Sequence, residues 1–388
     1  MNGIKDERIA TVDLLRGFAL LGILLVNMPG FYSPSIYMDS FEDTHSKIYM
    51  AIDILGQGSF YPIFATLFGF GFMKIFQTAF KNNAAFTPLL LRRLFLLLCI
   101  GCVHAFVIWY GDILILYAVC GFFLLFFQEA RGRTFLYWGG ALFIIPSIIM
   151  ILLLLIVASF SKAESNAVGV VQPLIDSSIN AYRDGSIAEI FSQRFLDWYY
   201  INNIGTFPLL FLSVFPFFLI GAFLAKEKGF ERIKENVLFI KYVCMVCFFA
   251  FLLFKVLPYL IGFNVATDFM QDSVGGPLGA IFYITLFMLY GEKIPRFIAQ
   301  PLQSAGRMAL TNYMAQSVVC TLLFYNYGLG FYGDITVMQG VLLALGFFVV
   351  QCIGSSIILK RYSRGPLEHL LRSFTYRGMK NEKNAVEK

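Results

Sequence analysis

Charge is what this sequence has least of. Asp, Glu, Lys and Arg make up 14% of its 388 residues, while 58% are hydrophobic. A soluble domain carries about a quarter charged residues, so one water-covered core is excluded. The composition is that of a polytopic membrane protein whose main partner is the lipid bilayer. A basic arm and an acidic tail are also missing, so no nucleic-acid partner is expected. The first apolar run ends in "VNMPGFY" with no A-x-A cleavage site and reads as a permanent span. "FGFGF" at 68–72 lacks the Lys-Ser/Thr of a phosphate loop. The seven cysteines lie in apolar runs, and no second ligand pair accompanies their two C-x-x-C spacings. They read as small packing residues, with no metal site implied.

What the chain does have is long apolar runs, 44 of its residues being Phe. A span needs about 20 mainly apolar residues. Ten candidates result: 9–28, 58–77, 89–109, 112–128, 134–160, 205–225, 237–262, 274–291, 308–329 and 334–359. The fold expected is an all-α transmembrane bundle. Its parts are an N-terminal membrane half (1–160), an external segment (161–204), and a C-terminal membrane half with a tail (205–388). "KIYMAIDILGQGSF" before the second span reads as re-entrant or interfacial. Two inverted sets of five spans are conceivable, but the second half has no polar set matching the first.

The positive-inside rule orients the chain. One set of connections holds Lys5, Arg8, Lys81, Arg92, Arg93, Arg131, Arg133, Lys226, Lys228, Arg232, Lys234, Lys293, Arg296 and Arg307. The alternate set holds Lys47, Lys162, Arg183 and Arg194, with acidic Asp39, Glu42, Asp43, Asp268 and Asp272. Both termini are therefore expected in the cytoplasm, with the protein in the cytoplasmic membrane. In the external segment, Ile187, Ile190, Phe191, Phe195 and Trp198 fall at helical spacing opposite Arg194 and Asp197. That predicts an amphipathic helix on the outer leaflet, or a cap over a pocket. Leu367, Leu370, Leu371 and Phe374, after Pro366, predict a second interfacial helix as an inner-leaflet anchor.

Ionisable groups inside spans are costly and usually face a bundle interior or a wet cavity. Asp13, Arg16 and Asn27 share one stripe of the first span, and Asp13 and Arg16, three apart, can pair. The pair is either a fastener between helices or an anion-facing Arg at the inner mouth of a cavity. Gly17 and Gly22 allow close helix approach. Arg92 and Arg93 are topology markers or contacts for a phosphate-rich ligand. Trp109 and Tyr110 are expected at the outer interface, with His104 about 7.5 Å deeper. Asp112 can cap the fourth helix or meet His104, which then acts as a general base. His45 by position is a solvated loop residue. Lys255 is expected to snorkel from the end of its span. Asn312 and Gln316, on one face beside Thr311 and Arg307, serve as interhelical glue or cavity lining.

Five stretches carry a resemblance. "RIATVDLLRGFALLGILLVNMPGF", "FATLFGFGF", "RRLFLLLCIGCVH…WYGDILILYA", "GRMALTNYMAQS" and "RGPLEHLLRSFTY" resemble the YeiB-like bacterial membrane proteins, which carry a C-terminal domain of unknown function numbered 418. The resemblance runs along nearly the whole chain. The opening motif is also similar to transmembrane acyltransferases of the acyltransferase-three and heparan glucosaminide N-acetyltransferase types. Those enzymes move an acyl group from cytosolic acyl-CoA to an acceptor outside. The resemblance implies a catalytic His at the end of the first span, where this chain has Asn27, or in the first external loop, where His45 is a loose match.

The leading expectation is acyl transfer across the membrane. Arg16, held by Asp13, together with Arg92 and Arg93 would grip the acyl-CoA phosphates. His104, or else His45, would be the base, Asp112 its partner, and Asn27 an oxyanion donor. The extracytoplasmic acceptor is not readable, and a homo-oligomer is compatible with the sequence. The rivals are a transporter of a small solute, using the same groups for gating or proton coupling, and a non-catalytic membrane scaffold.

Overall fold

The computed structural model describes residues 9–38, 47–81, 86–160 and 172–376, and their regular structure is entirely helical. Before the middle of the chain lie α1 (Ala10–Tyr32), α2 (Lys47–Leu55), α3 (Phe60–Lys81), α4 (Phe86–Val103), α5 (Leu114–Leu124) and α6 (Gly132–Phe160). Then come α7 (Gln172–Ile179), α8 (Ile187–Asn202), α9 (Phe207–Lys226), α10 (Val237–Ile261), α11 (Val265–Phe269) and α12 (Gly276–Tyr290). The last four are α13 (Arg296–Arg307), α14 (Ala309–Phe324), α15 (Val337–Arg361) and α16 (Pro366–Thr375).

Eight helical stretches among the described residues are long and apolar enough to cross a membrane, and the chain is a multi-pass membrane protein. The ten expected spans correspond to these eight and to two shorter apolar helices. The fourth and ninth are short apolar helices, Leu114–Phe127 and Ala309–Phe324. The 16 residues of α14 rise only about 24 Å, against a hydrocarbon core of roughly 30 Å. The 29-residue α6 is the opposite case: Ile144, Ile145, Ile148, Ile149, Leu152 and Leu153 are all exposed, a face only hydrocarbon can cover.

Two helix pairs touch backbone to backbone. A Cβ on Gly17 would overlap the Leu302 carbonyl, and one on Gly306 would overlap that of Asp13, so α1 and α13 approach without intervening side chains. Gly69 and Gly221 do the same for α3 and α9. Without a hydrophobic drive between helices in lipid, such small-residue contacts supply dispersion attraction. They leave α1 in the middle of the bundle, packed against α3, α13, α14 and α15.

α8 forms over the predicted residues, with Ser186 and Glu189 closing a capping box, and its polar face turns toward the bundle. Gln193, Arg194 and Asp197 are buried, while Ile187, Phe191, Phe195 and Tyr199 are exposed. The helix covers the bundle with its polar side because buried partners await it there. α16 likewise docks against α4 and α14 instead of only anchoring at a surface, with Leu371 buried.

Candidate functional site

α4 ends in one turn of π-helix, His104–Ile108, closed by Trp109 N–H donating to the His104 carbonyl at 2.8 Å. Such turns occur often at functional positions. The wider turn leaves the Phe106 and Val107 carbonyls open, and Arg194 of α8 donates to both. The next residues are tied down as well. Trp109 Nε1 and the Tyr110 hydroxyl both donate to the Gly30 carbonyl, at 3.2 and 3.0 Å. Both rings are buried, so the expected interfacial belt is corrected: these aromatics lock α1 to the α4–α5 turn.

The locked turn brings Asp112 to His104. Asp112 Oδ1 lies 2.9 Å from His104 Nδ1, and Asp112 Oδ2 accepts the Ile115 N–H at 2.8 Å. Asp112 thus both caps α5 and meets His104. The other imidazole nitrogen, Nε2, lies 2.8 Å from Ser317 Oγ on α14. The side chains of His104 and Asp112 have no exposed surface. Tyr313, one turn earlier on α14, packs its ring 4.9 Å from the imidazole and donates to the Gly111 carbonyl at 3.2 Å.

A cavity of about 260 Å³ runs up to the other side of Tyr313. Its walls are apolar, from Ile23, Phe64, Phe68, Leu94, Leu97, Ile113, Leu114 and Tyr117. Its charged groups are Arg16, Arg93, Arg307 and Glu368. Arg16 pairs with Asp13 at 3.2 Å. Glu368 of α16 accepts from the Leu310 and Thr311 N–H groups and the Thr311 hydroxyl, capping α14. The cavity thus has a cationic end and a greasy end, with the imidazole behind the tyrosine at the greasy end.

A second cavity, about 840 Å³, opens at the opposite end of α1. Lys255 is fully buried beside it, 2.7 Å from Asp272 and 3.7 Å from Asp53. Asp53 also accepts from Tyr259 and Gln271, at 2.8 and 2.6 Å. Lys255 therefore does not snorkel: two carboxylates inside the protein hold its charge. The sequence reading missed this centre because Asp53 and Lys255 are some 200 positions apart in the chain. Elsewhere, α8 holds a tyrosine-rich layer. Asp197 accepts from Tyr37 and Tyr182, both at 2.6 Å, and from Gln193. Burial pushes the Asp197 carboxyl above the usual carboxylate range, against those hydrogen bonds.

Of the residues singled out from sequence, the structure brings Arg16, paired with Asp13, and Arg93 to the small cavity and joins His104 to Asp112. Arg92 is exposed and does not line the cavity. Asn27 is half-buried and lines neither cavity, and among the described residues its side chain makes no hydrogen bond. The helix turn that puts Ile23 in the cavity wall leaves Asn27 beyond its end. His104 stands one side chain away from the hollow it was expected to face, since Tyr313 fills the gap. His45 lies outside the described residues. Asn312 and Gln316 are interhelical glue: Asn312 donates to Ala305 and Ser355, Gln316 to Gln351. Ser317, Tyr313 and Glu368 were not singled out for this site, while Arg307, read as a neighbour of possible cavity lining, does line the cavity. A small hydroxyl one turn beyond Tyr313 carries no signal in sequence.

A family model described as "Protein of unknown function (DUF418)" matches residues 224–378. The uncharacterized protein YxaH of Bacillus subtilis (strain 168) is 35% identical over 96% of this chain and 95% of its own length. An uncharacterized 39.9 kDa protein in the amylase 3' region of Bacillus acidopullulyticus is 30% identical, over 96% and 94%. The uncharacterized protein YeiB of Escherichia coli (strain K12) is 25% identical, over 96% and 97%.

Proposed function

This chain belongs to the YeiB-like DUF418 family of multi-pass membrane proteins, and on that footing we propose that it is a membrane acyltransferase. Its donor is a cytosolic acyl-CoA and its acceptor an extracytoplasmic hydroxyl or amine. One observation carries the reading. The 260 Å³ cavity has guanidinium groups at one end and ends in apolar walls against Tyr313, directly before the His104–Asp112 pair. Ligand pockets usually measure about 300–1,000 Å³, so this one suits an acyl chain and thioester, not a whole coenzyme.

The basic end is the cytoplasmic one in this reading. Arg16, steadied by Asp13, and Arg93 and Arg307 bind the phosphates, with Arg92 drawing the anion in from the rim. The acyl chain lies along Phe64, Phe68 and Leu97. His104 is the general base, and Asp112 fixes its tautomer and stabilises the imidazolium. The acceptor enters from the 840 Å³ cavity at the other end. The test is release of CoA from radiolabelled acetyl- and palmitoyl-CoA by the protein in liposomes, with and without His104→Ala. Release lost in the variant is expected; equal release by both sinks the reading.

Lys255, buried between Asp53 and Asp272 beside the larger cavity, supports a second reading, a proton-coupled solute transporter. Solute uptake into proteoliposomes without any CoA thioester, lost in Lys255→Met, would favour it.

A further inference from the structure

We propose that Ser317 is the nucleophile of this site and carries the acyl group as an ester between donor and acceptor. The inference rests on the acyl-transfer reading and changes its mechanism, from direct attack by the acceptor to two successive transfers.

The order of three side chains is the first argument. His104 divides its two nitrogens, Nδ1 to Asp112 at 2.9 Å and Nε2 to Ser317 at 2.8 Å. With Asp112 as the carboxylate acceptor and the imidazole neutral, the state the proposal requires, Nδ1 carries the hydrogen and Nε2 offers its lone pair. The serine hydroxyl then donates to Nε2. A hydroxyl on a base, and the base on an orienting carboxylate, is the arrangement that activates a weak nucleophile.

The serine's own behaviour is the second argument. Hydroxyls on membrane helices commonly donate back to the carbonyl one turn before. Ser147, Ser356 and Thr285 do so here, to Phe143, Cys352 and Ile281. Ser317 gives up that bond, and among the described residues its hydroxyl meets only the imidazole.

Access is the third. Tyr313 and Ser317 stand one turn apart on α14, and the Tyr313 ring separates the cavity from the imidazole. Its hydroxyl donates to the Gly111 carbonyl at 3.2 Å. The cavity beside it is the space into which the ring turns, so Tyr313 is the gate through which a thioester reaches Ser317.

The chemistry balances without an added reagent. Ser317 Oγ bonds to the thioester carbonyl carbon as its proton moves to His104 Nε2. The carbon–sulfur bond breaks, and the CoA sulfur leaves with that proton. The acceptor then loses its proton to Nε2 and attacks the ester carbonyl, and Oγ departs taking the proton back. Asp112 stays ionised throughout.

The experiment uses the full chain in nanodiscs with acetyl- and palmitoyl-CoA and no acceptor. Two quantities are read: exchange of label between free [³H]CoA and acyl-CoA, and acyl mass on the peptide bearing residue 317 after acid quench. The wild type is expected to exchange label and to carry one adduct there. Ser317→Ala should lose exchange by roughly 10³-fold or more. Ser317→Cys should carry the adduct as a hydroxylamine-sensitive thioester, which decides the matter should the alanine variant fail to fold. CoA release by the wild type that persists in a folded Ser317→Ala, with no adduct, overturns the serine and leaves acyl transfer standing. No release and no exchange by the wild type overturns both.

Discussion

Arg194 of α8 donates to the carbonyl oxygen of Val107, inside the π turn that begins with His104. Its Nε and Nη2 have no hydrogen-bond partner among the described residues, and the side chain is 1% exposed. A buried guanidinium so placed satisfies carbonyls that the wide turn leaves open, and it also lies over the Phe191 and Tyr325 rings. Arg194→Ala is therefore expected to cost on the order of 2–3 kcal/mol and to lower the thermal midpoint in detergent by several degrees. The accompanying loss of CoA release should match that of His104→Ala. Unchanged release would separate the brace from the site.

The glycine seam between α1 and α13 gives a second prediction. Gly306→Ala forces a Cβ onto the Asp13 carbonyl, a backbone atom that cannot swing away. The monodisperse fraction on size exclusion should collapse. Gly354→Ala on α15, where nothing lies within 4 Å of the added atom, should behave as wild type.

Lys255, itself without exposed surface, stands between Asp53 and Asp272, whose side chains are 11% and 36% exposed. Removing one partner of a buried ion pair costs about 3–5 kcal/mol because the other charge is stranded. Lys255→Ala should be severely destabilised. Combining Lys255→Met with Asp272→Asn should recover much of the thermal midpoint, since less net charge stays buried.

Arg16 and Arg93 line the small cavity, whereas Arg92 is exposed. Under the proposed function, Arg16→Ala or Arg93→Ala raises KM for acyl-CoA about tenfold, or roughly 1.4 kcal/mol, with kcat little changed. Arg92→Ala moves KM less. A fall in kcat with constant KM in all three would contradict a phosphate-binding role.

Asp197 supplies a pH test. Burial raises its folded carboxyl above the unfolded value of about 3.9. The folded state thus holds the proton more tightly than the unfolded state. The ionised form opposes folding, so this group's contribution worsens as pH rises from the unfolded value through the folded one. The thermal midpoint should fall over that interval in the wild type, and the slope should flatten in Asp197→Asn. An identical slope in both proteins would assign it to another group.

The candidate site was legible only in part. His104 and Asp112 could be matched because a hairpin turn puts residues eight apart side by side. Arg16 could be paired with Asp13 because a helix repeats every 3.6 residues. Ser317 lies 213 positions from His104, and no local period connects them. The tail helix read as a surface anchor, yet its Glu368 caps α14, since amphipathic spacing tells which face is apolar and not what meets the polar one. The same holds for α8.

What the sequence determined alone was the environment and the secondary structure. Twenty apolar residues in lipid must satisfy their own backbone hydrogen bonds, which leaves little choice but helix. Partnership was decided in three dimensions. Which helix lies against which depends on small residues meeting backbone, such as Gly17 on Leu302, and such contacts leave no trace until both helices are in place. The tertiary structure also set Tyr313 between the cavity and His104, because side-chain packing, not spacing along the chain, fills the space between two helices.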